Sequence, residues 1–179
     1  MTELTLTGIR AAVVTISDGV ASGAREDRSG PALAALAQAS GAELRFRRVV
    51  ADESPAIEAC LRDLAAECDL ILTTGGTGLG PRDHTPEATA KVCARRAQGL
   101  EEYLRQATSA EEPRAWLSRG LAGIAGPLAS AAAGDHYCLI INFPGSPRAV
   151  EQYWRALARL LPHAMRLILG HTEHGTLKL

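Results

Sequence analysis

The sequence predicts a doubly wound, mostly parallel α/β sheet with helices on both faces, and three observations carry that reading. Four apolar, β-prone runs alternate with stretches of helical spacing, which is the rhythm of consecutive βαβ units. The run Cys68 to Thr73 is nearly unbroken in its apolarity, as a strand covered on both faces is, and Ala12 to Ile16 reads as buried too. The third run leads without interruption into a glycine-rich loop and a helix start, the junction at which such sheets bind anions.

Each element follows from its residues. Ala12-Val13-Val14-Thr15-Ile16 reads as the first strand, and Pro31 opens a helix with Leu33, Leu36 and Ala37 on one face. Leu44 to Val50 is the second strand. Ser54 then caps a helix from Pro55, with Ile57, Leu61 and Leu64 at helical spacing. Cys68 to Thr73 forms the third strand, Pro86 to about Arg105 the next helix, and Tyr137 to Phe143 the last strand. Ser146-Pro147 starts a helix that turns Val150, Tyr153, Leu157 and Leu161 inward.

Two segments fall outside this scheme. Leu121 to His136 is dominated by alanine and glycine with Pro127 inside it, and is expected to be an inserted flexible loop. The alternative, an alanine-rich helix near 128–133, is short for stability on its own. Residues 171–179 are expected to be a flexible tail. Their His171-Thr172-Glu173-His174 has the spacing of two metal ligands but lacks a third.

At 179 residues the chain fits one domain, and a net charge of -1 leaves no electrostatic footprint for nucleic acid or an anionic membrane. Apolar stretches are interrupted well short of a bilayer span. Residues 1–10 do not read as a signal peptide. Cys60, Cys68, Cys93 and Cys138 show no C-x-x-C spacing, so buried, reduced thiols in a cytoplasmic protein are expected rather than a zinc site or disulfides.

The stretch Thr73-Thr74-Gly75-Gly76-Thr77-Gly78-Leu79-Gly80-Pro81-Arg82-Asp83-His84-Thr85-Pro86-Glu87-Ala88 carries the most chemistry. Its glycines permit positive φ and close approach of a ligand to main-chain N–H groups, while Thr85 as N-cap and Pro86 at the first helical position open a helix. It is not a Walker A loop, because no Lys-Ser or Lys-Thr follows its glycines. Nor does it match G-x-G-x-x-G, and it comes after the third strand rather than the first.

Ligands of open parallel sheets sit beyond the carboxyl ends of the strands. There the sequence places Ser17 and Asp18 after the first strand, Asp52 after the second and Thr74, Gly75, Gly76, Thr77, Gly78, Arg82 and Asp83 after the third. Pro144, Gly145 and Ser146 follow the last. Carboxylates, hydroxyls and backbone donors in one place suit a nucleotide polyphosphate with Mg²⁺. Simpler readings stand beside this one. Asp18 and Asp52 serve equally well as turn residues, Asp83 and Glu87 as charges favourable to a helix start, and Arg82 and Arg119 as surface arginines.

Four ordered blocks resemble the molybdenum cofactor biosynthesis family that includes MogA and MoaB. They are Thr15-Ile16-Ser17-Asp18 with Asp27 and Ser29-Gly30, the glycine loop through Thr85-Pro86-Glu87-Ala88, Ser118-Arg119, and Leu139-Ile140-Ile141-Asn142-Phe143-Pro144-Gly145-Ser146-Pro147. The resemblance spans roughly residues 10 to 169. It implies a molybdopterin adenylyltransferase that transfers AMP from ATP to the terminal phosphate of molybdopterin and releases pyrophosphate. Asp52 and Asp83 are then the catalytic, Mg²⁺-holding carboxylates. Ser17, Asp18, Thr74, Gly75, Gly76, Thr77, Gly78, Arg82, Ser118, Arg119, Pro144, Gly145 and Ser146 would bind substrate. It also implies a homotrimer that hands its product to a molybdenum insertase. Alternatives are a binding homologue of the MoaB type with weak or no catalysis, and an enzyme related to nicotinamide-nucleotide hydrolases on the same scaffold.

Overall fold

The protein is described by a computed structural model covering residues 5–129 and 135–170. Its centre is a six-stranded sheet in the order β2-β1-β3-β6-β5-β4. The strands are β1 (Arg10–Ile16), β2 (Glu43–Val50), β3 (Leu70–Thr74), β4 (Arg95–Arg96), β5 (Ala122–Ala129) and β6 (Asp135–Phe143). The first four strands in that order run parallel, and the last two pair antiparallel at one edge. This is the mostly parallel, doubly wound α/β sheet that the sequence predicts.

Side-chain alternation along the central strands divides the core in two, since successive residues of a strand face opposite sides of the sheet. Ala11, Val13, Leu70, Leu72, Leu139, Ile141 and Phe143 pack on one side beneath α2 (Ser29–Ala39), α5 (Gln98–Ser109), α6 (Pro147–Leu157) and α7 (Leu161–Ile168). Ala12, Val14, Ile16, Ile71, Cys138 and Ile140 face α3 (Ser54–Ala65) and α4 (Thr85–Val92) on the other. A short helix, α1 (Asp18–Ala21), follows β1 directly. Burial of both faces is why these strands read as continuous apolar runs.

Three expectations need correction. The segment 121–136 is not an inserted loop over its described part, because 122–129 form β5 and 135–136 begin β6. Its small residues are what strand packing demands. A Cβ at Gly123 would lie 2.8 Å from the Cys93 Sγ and 2.9 Å from the Arg95 carbonyl oxygen, and the ladder slips between Ala125 and Leu128, so Pro127 sits at an irregularity where no ladder N–H is needed. Residues 130–134 and the tail 171–179 lie outside the described residues.

The helix expected over Pro86 to about Arg105 is two helices. Cys93 leaves α4 with extended backbone, φ -80 and ψ 129, and Arg95–Arg96 pair with β5 before α5 begins. Among the caps, Thr85 lies inside α4 with His84 at the N-cap, and α3 starts from Glu53 without a side-chain cap bond. Ser146 caps α6 as expected, its hydroxyl accepting from the Ala149 N–H at 3.2 Å.

Candidate functional site

A cavity of about 930 Å³ opens at the carboxyl ends of β1, β3 and β6. The glycine loop forms one wall. Gly75 and Gly76 have φ of +103 and +61, the left-handed region that a β-carbon disfavours. There is no room for one either: at Gly75 it would lie 2.2 Å from the Ile16 carbonyl oxygen, and at Gly76 2.3 Å from the Thr85 hydroxyl. Thr85 closes the loop, donating from its hydroxyl to the Gly75 carbonyl at 2.9 Å and from its N–H to that of Gly76 at 3.1 Å. Thus the Thr85 hydroxyl staples loop to helix instead of capping the helix.

The turn after β6 packs against this loop. The Gly75 N–H donates to the Phe143 carbonyl at 3.1 Å, and the Thr74 hydroxyl donates to that of Pro144 at 2.8 Å. A β-carbon on Gly145 would stand 3.2 Å from the Gly75 Cα. Behind both, the buried Asn142 donates to the hydroxyls of Thr73 and Thr89, each at 3.0 Å, and accepts from the Leu121 N–H at 3.1 Å. One side chain of β6 therefore ties β3, α4 and the residue that precedes β5 together.

Asp18 and Asp52 hold each other. The Asp18 N–H donates to Asp52 Oδ2 at 2.7 Å, and the Asp52 N–H returns a bond to Asp18 Oδ1 at 2.9 Å. Arg82 grips Asp18 from outside through Nε and Nη2. The Arg82 guanidinium and, after it, the Asp52 N–H hold the Asp18 carboxyl below the usual range. Asp83 Oδ2 accepts from the Gly80 N–H at 2.7 Å. Each of Asp52 and Asp83 keeps its other oxygen free of hydrogen bonds among the described residues, and both line the cavity.

The structure thus brings Ser17, Asp52, Thr74, Gly75, Gly76, Thr77, Gly78, Asp83, Ser118, Pro144, Gly145 and Ser146 to one cavity. Asp18, Arg82 and Arg119 are not on its wall. Arg119 braces the loop from its own side: Nε donates to the Gly78 carbonyl and Nη2 to that of Asp83, both at 2.6 Å, and Nη1 pairs with Glu87. These two arginines, which the resemblance places among the substrate-binding residues, bind protein partners here.

Part of the cavity's lining was not legible in the sequence. It includes Arg25, Glu112, Arg114 and Gln152, none of which lies in a run with motif character. Arg114 binds Glu112 through two contacts of 2.8 Å, and its guanidinium, with its N–H, pushes the Glu112 carboxyl down to about 2. Glu112 is therefore held ionised by Arg114 at neutral pH. Five carboxylates (Glu26, Asp27, Asp52, Asp83, Glu112) face three arginines (Arg25, Arg28, Arg114) around the cavity.

Against known proteins, residues 12–163 match the family described as "Probable molybdopterin binding domain". The chain belongs to this family. It is 38% identical over 91% of its length to the molybdopterin adenylyltransferase of Helicobacter pylori strain J99, of which it spans 89%. It is 41% identical over 97% of its length to the molybdenum cofactor biosynthesis bifunctional protein of Synechococcus elongatus, and spans only 51% of that longer chain. Among solved structures, the molybdopterin biosynthesis enzyme MoaB of Thermus thermophilus superposes with a TM-score of 0.80 at 38% identity, with 90% of this chain and 97% of that one covered. Among the described residues no three or more His, Cys, Asp and Glu side chains converge as a metal cluster, and no helix is long and apolar enough to cross a membrane.

Proposed function

We propose that this chain is a molybdopterin adenylyltransferase, joining AMP from ATP to the terminal phosphate of molybdopterin and releasing pyrophosphate. The supporting observation is the cavity, where glycine-loop backbone, the hydroxyls of Ser17, Thr77 and Ser118, and two carboxylates with unpaired oxygens stand together. Relatives named molybdopterin adenylyltransferase, similar over nearly the whole chain, support the choice of substrates.

The attacking group is a phosphate monoester whose second ionisation lies near ~6, so it is already largely anionic at neutral pH and needs no general base. Joining two anions is the difficulty, and it is greater in a cavity with more carboxylates than arginines. Mg²⁺ fits the donor set, because it takes one or two carboxylates and completes its shell with water and substrate phosphates. Asp52 and Asp83 would hold it, and bound there it would neutralise charge on the transferring phosphoryl group.

The chain's own groups do the rest. The glycine loop would offer a phosphate main-chain N–H groups other than that of Gly75, which is bound to the Phe143 carbonyl, and Thr85, Arg119 and Asn142 fix that backbone before the ligand arrives. A backbone held in advance spends no binding energy on ordering. The terminal phosphate oxygen of the pterin attacks the α-phosphorus, forming the new P–O bond as the α–β bridge breaks and pyrophosphate departs. A homotrimer in the cytoplasm, passing its product to an insertase, completes the proposal. The test is an assay with ATP, molybdopterin and Mg²⁺: adenylylated pterin and pyrophosphate in equal amounts support it, and binding without product favours a non-catalytic homologue.

A further inference from the structure

Three arginines line the cavity, and they are not equivalent. Arg28 pairs with Glu26 at 2.9 Å and Arg114 with Glu112 at 2.8 Å, so each enters already neutralised by a carboxylate two residues earlier. Arg25 has no carboxylate within ion-pair distance among the described residues. Instead its Nη2 donates to the Ser17 hydroxyl at 2.6 Å, and Ser17 is the residue between β1 and α1.

That contact is part of a built arrangement. The Arg25 N–H donates to the Gly19 carbonyl at 2.8 Å. The side chain then lies over Gly19, where a β-carbon would meet Arg25 Nε at 3.7 Å and Cζ at 3.9 Å. The Ser17 hydroxyl also accepts from the Val20 N–H at 3.3 Å, which fixes the oxygen that the guanidinium grips. An exposed arginine is ordinarily free among many rotamers, at an entropic cost to any ligand it meets. Arg25 is held in place on the cavity wall with its remaining N–H donors uncommitted.

We propose that Arg25 is a phosphate-recognition residue of this chain, engaging a phosphate dianion carried by a substrate in the cavity. The proposal rests on the reading of the cavity as a site for phosphorylated substrates. It follows from the charge of the wall: a dianion entering beside five carboxylates needs a fixed cation that carries no counter-ion of its own. A guanidinium meets two phosphate oxygens at once, which an ammonium does not. The dianion belongs either to the phosphate chain of the nucleotide or to the terminal phosphate of the pterin.

The test is calorimetric titration of wild type, Arg25→Ala and Arg25→Lys with ATP, inorganic pyrophosphate, molybdopterin and adenosine, alongside thermal unfolding. Loss of one charge-assisted contact corresponds to about ten- to a hundred-fold weaker binding. We expect that loss in Arg25→Ala for at least one phosphate-bearing ligand, partial recovery in Arg25→Lys, and an unchanged melting temperature and adenosine affinity. Loss confined to ATP and pyrophosphate assigns Arg25 to the nucleotide, and loss confined to molybdopterin assigns it to the pterin phosphate. Wild-type affinity of Arg25→Ala for all ligands overturns the proposal, as does a drop in melting temperature with equal weakening of adenosine. If wild type itself binds none of the phosphate-bearing ligands, the reading of the cavity is overturned and the role of Arg25 with it.

Discussion

Arg119 donates from Nε to the carbonyl oxygen of Gly78 at 2.6 Å, so a side chain 41 residues away in sequence sets the course of the glycine loop. Its Nη2 holds the Asp83 carbonyl in the same way. Arg119→Lys cannot reproduce both bonds, because an ammonium lacks the planar fork. We predict a loss of about 1–3 kcal/mol of stability and weaker binding of ATP in Arg119→Lys as well as in Arg119→Ala. Melting temperature and ATP titration check this, and full rescue by lysine would contradict it.

The loop glycines answer to packing as well as to ligand. At Gly76 a β-carbon would lie 2.3 Å from the Thr85 hydroxyl and 3.0 Å from Asp52 Oδ1. Gly76→Val and Gly75→Ala are therefore both predicted to cost about 3 kcal/mol or more in stability, from positive φ together with collision. Chemical denaturation measures it.

Much of this site was legible in the sequence because its parts are local. The strands that lead to Ser17, Asp52 and Pro144, and the one that ends at Thr74, follow from β-prone runs, and the loop glycines from turn chemistry. What escaped depends on tertiary direction. A guanidinium has long reach, and nothing in the residues around Arg82 or Arg119 tells that one turns to Asp18 and the other to Gly78. Arg25 lies in a turn whose contacts to Gly19 and Ser17 have no signature in the sequence. The alanine and glycine of β5 were misread because composition does not distinguish a loose loop from a strand pressed against Cys93.

That correction changes the outlook for the β5–β6 hairpin. His136 Nε2 lies 3.0 Å from the Ala65 carbonyl and 3.1 Å from that of Cys68, and two acceptors require the proton on Nε2. The imidazole thus ties the hairpin to the end of α3. His136→Ala is predicted to cost about 1–3 kcal/mol by leaving these carbonyls short of a donor, and deletion of 127–133 is predicted to destabilise rather than to be neutral. Thermal unfolding of both variants decides it.

The thiols are sheltered. Burial pushes Cys68 up to about 11, Cys93 up to about 12 and Cys138 well above its ordinary value. Groups whose folded values are raised contribute stability that is whole below the ordinary thiol value of 9.0 and is lost as pH rises through the folded values. Melting temperature should therefore fall between about pH 9 and 12, and iodoacetamide should modify Cys68 and Cys138 at pH 7.5 only after unfolding. Rapid labelling of both in the native protein would contradict this.

Under the proposed function, Asp52 and Asp83 serve nucleotidyl transfer through their charge. Asparagine keeps the shape and an oxygen acceptor for the Asp18 and Gly80 N–H groups while removing the charge that a divalent cation needs. The most direct measurement is the rate of pyrophosphate release by wild type, Asp52→Asn and Asp83→Asn with ATP, molybdopterin and Mg²⁺. We predict a fall of about a hundred-fold or more in each variant at unchanged melting temperature; near wild-type turnover in either would remove that carboxylate from the reaction.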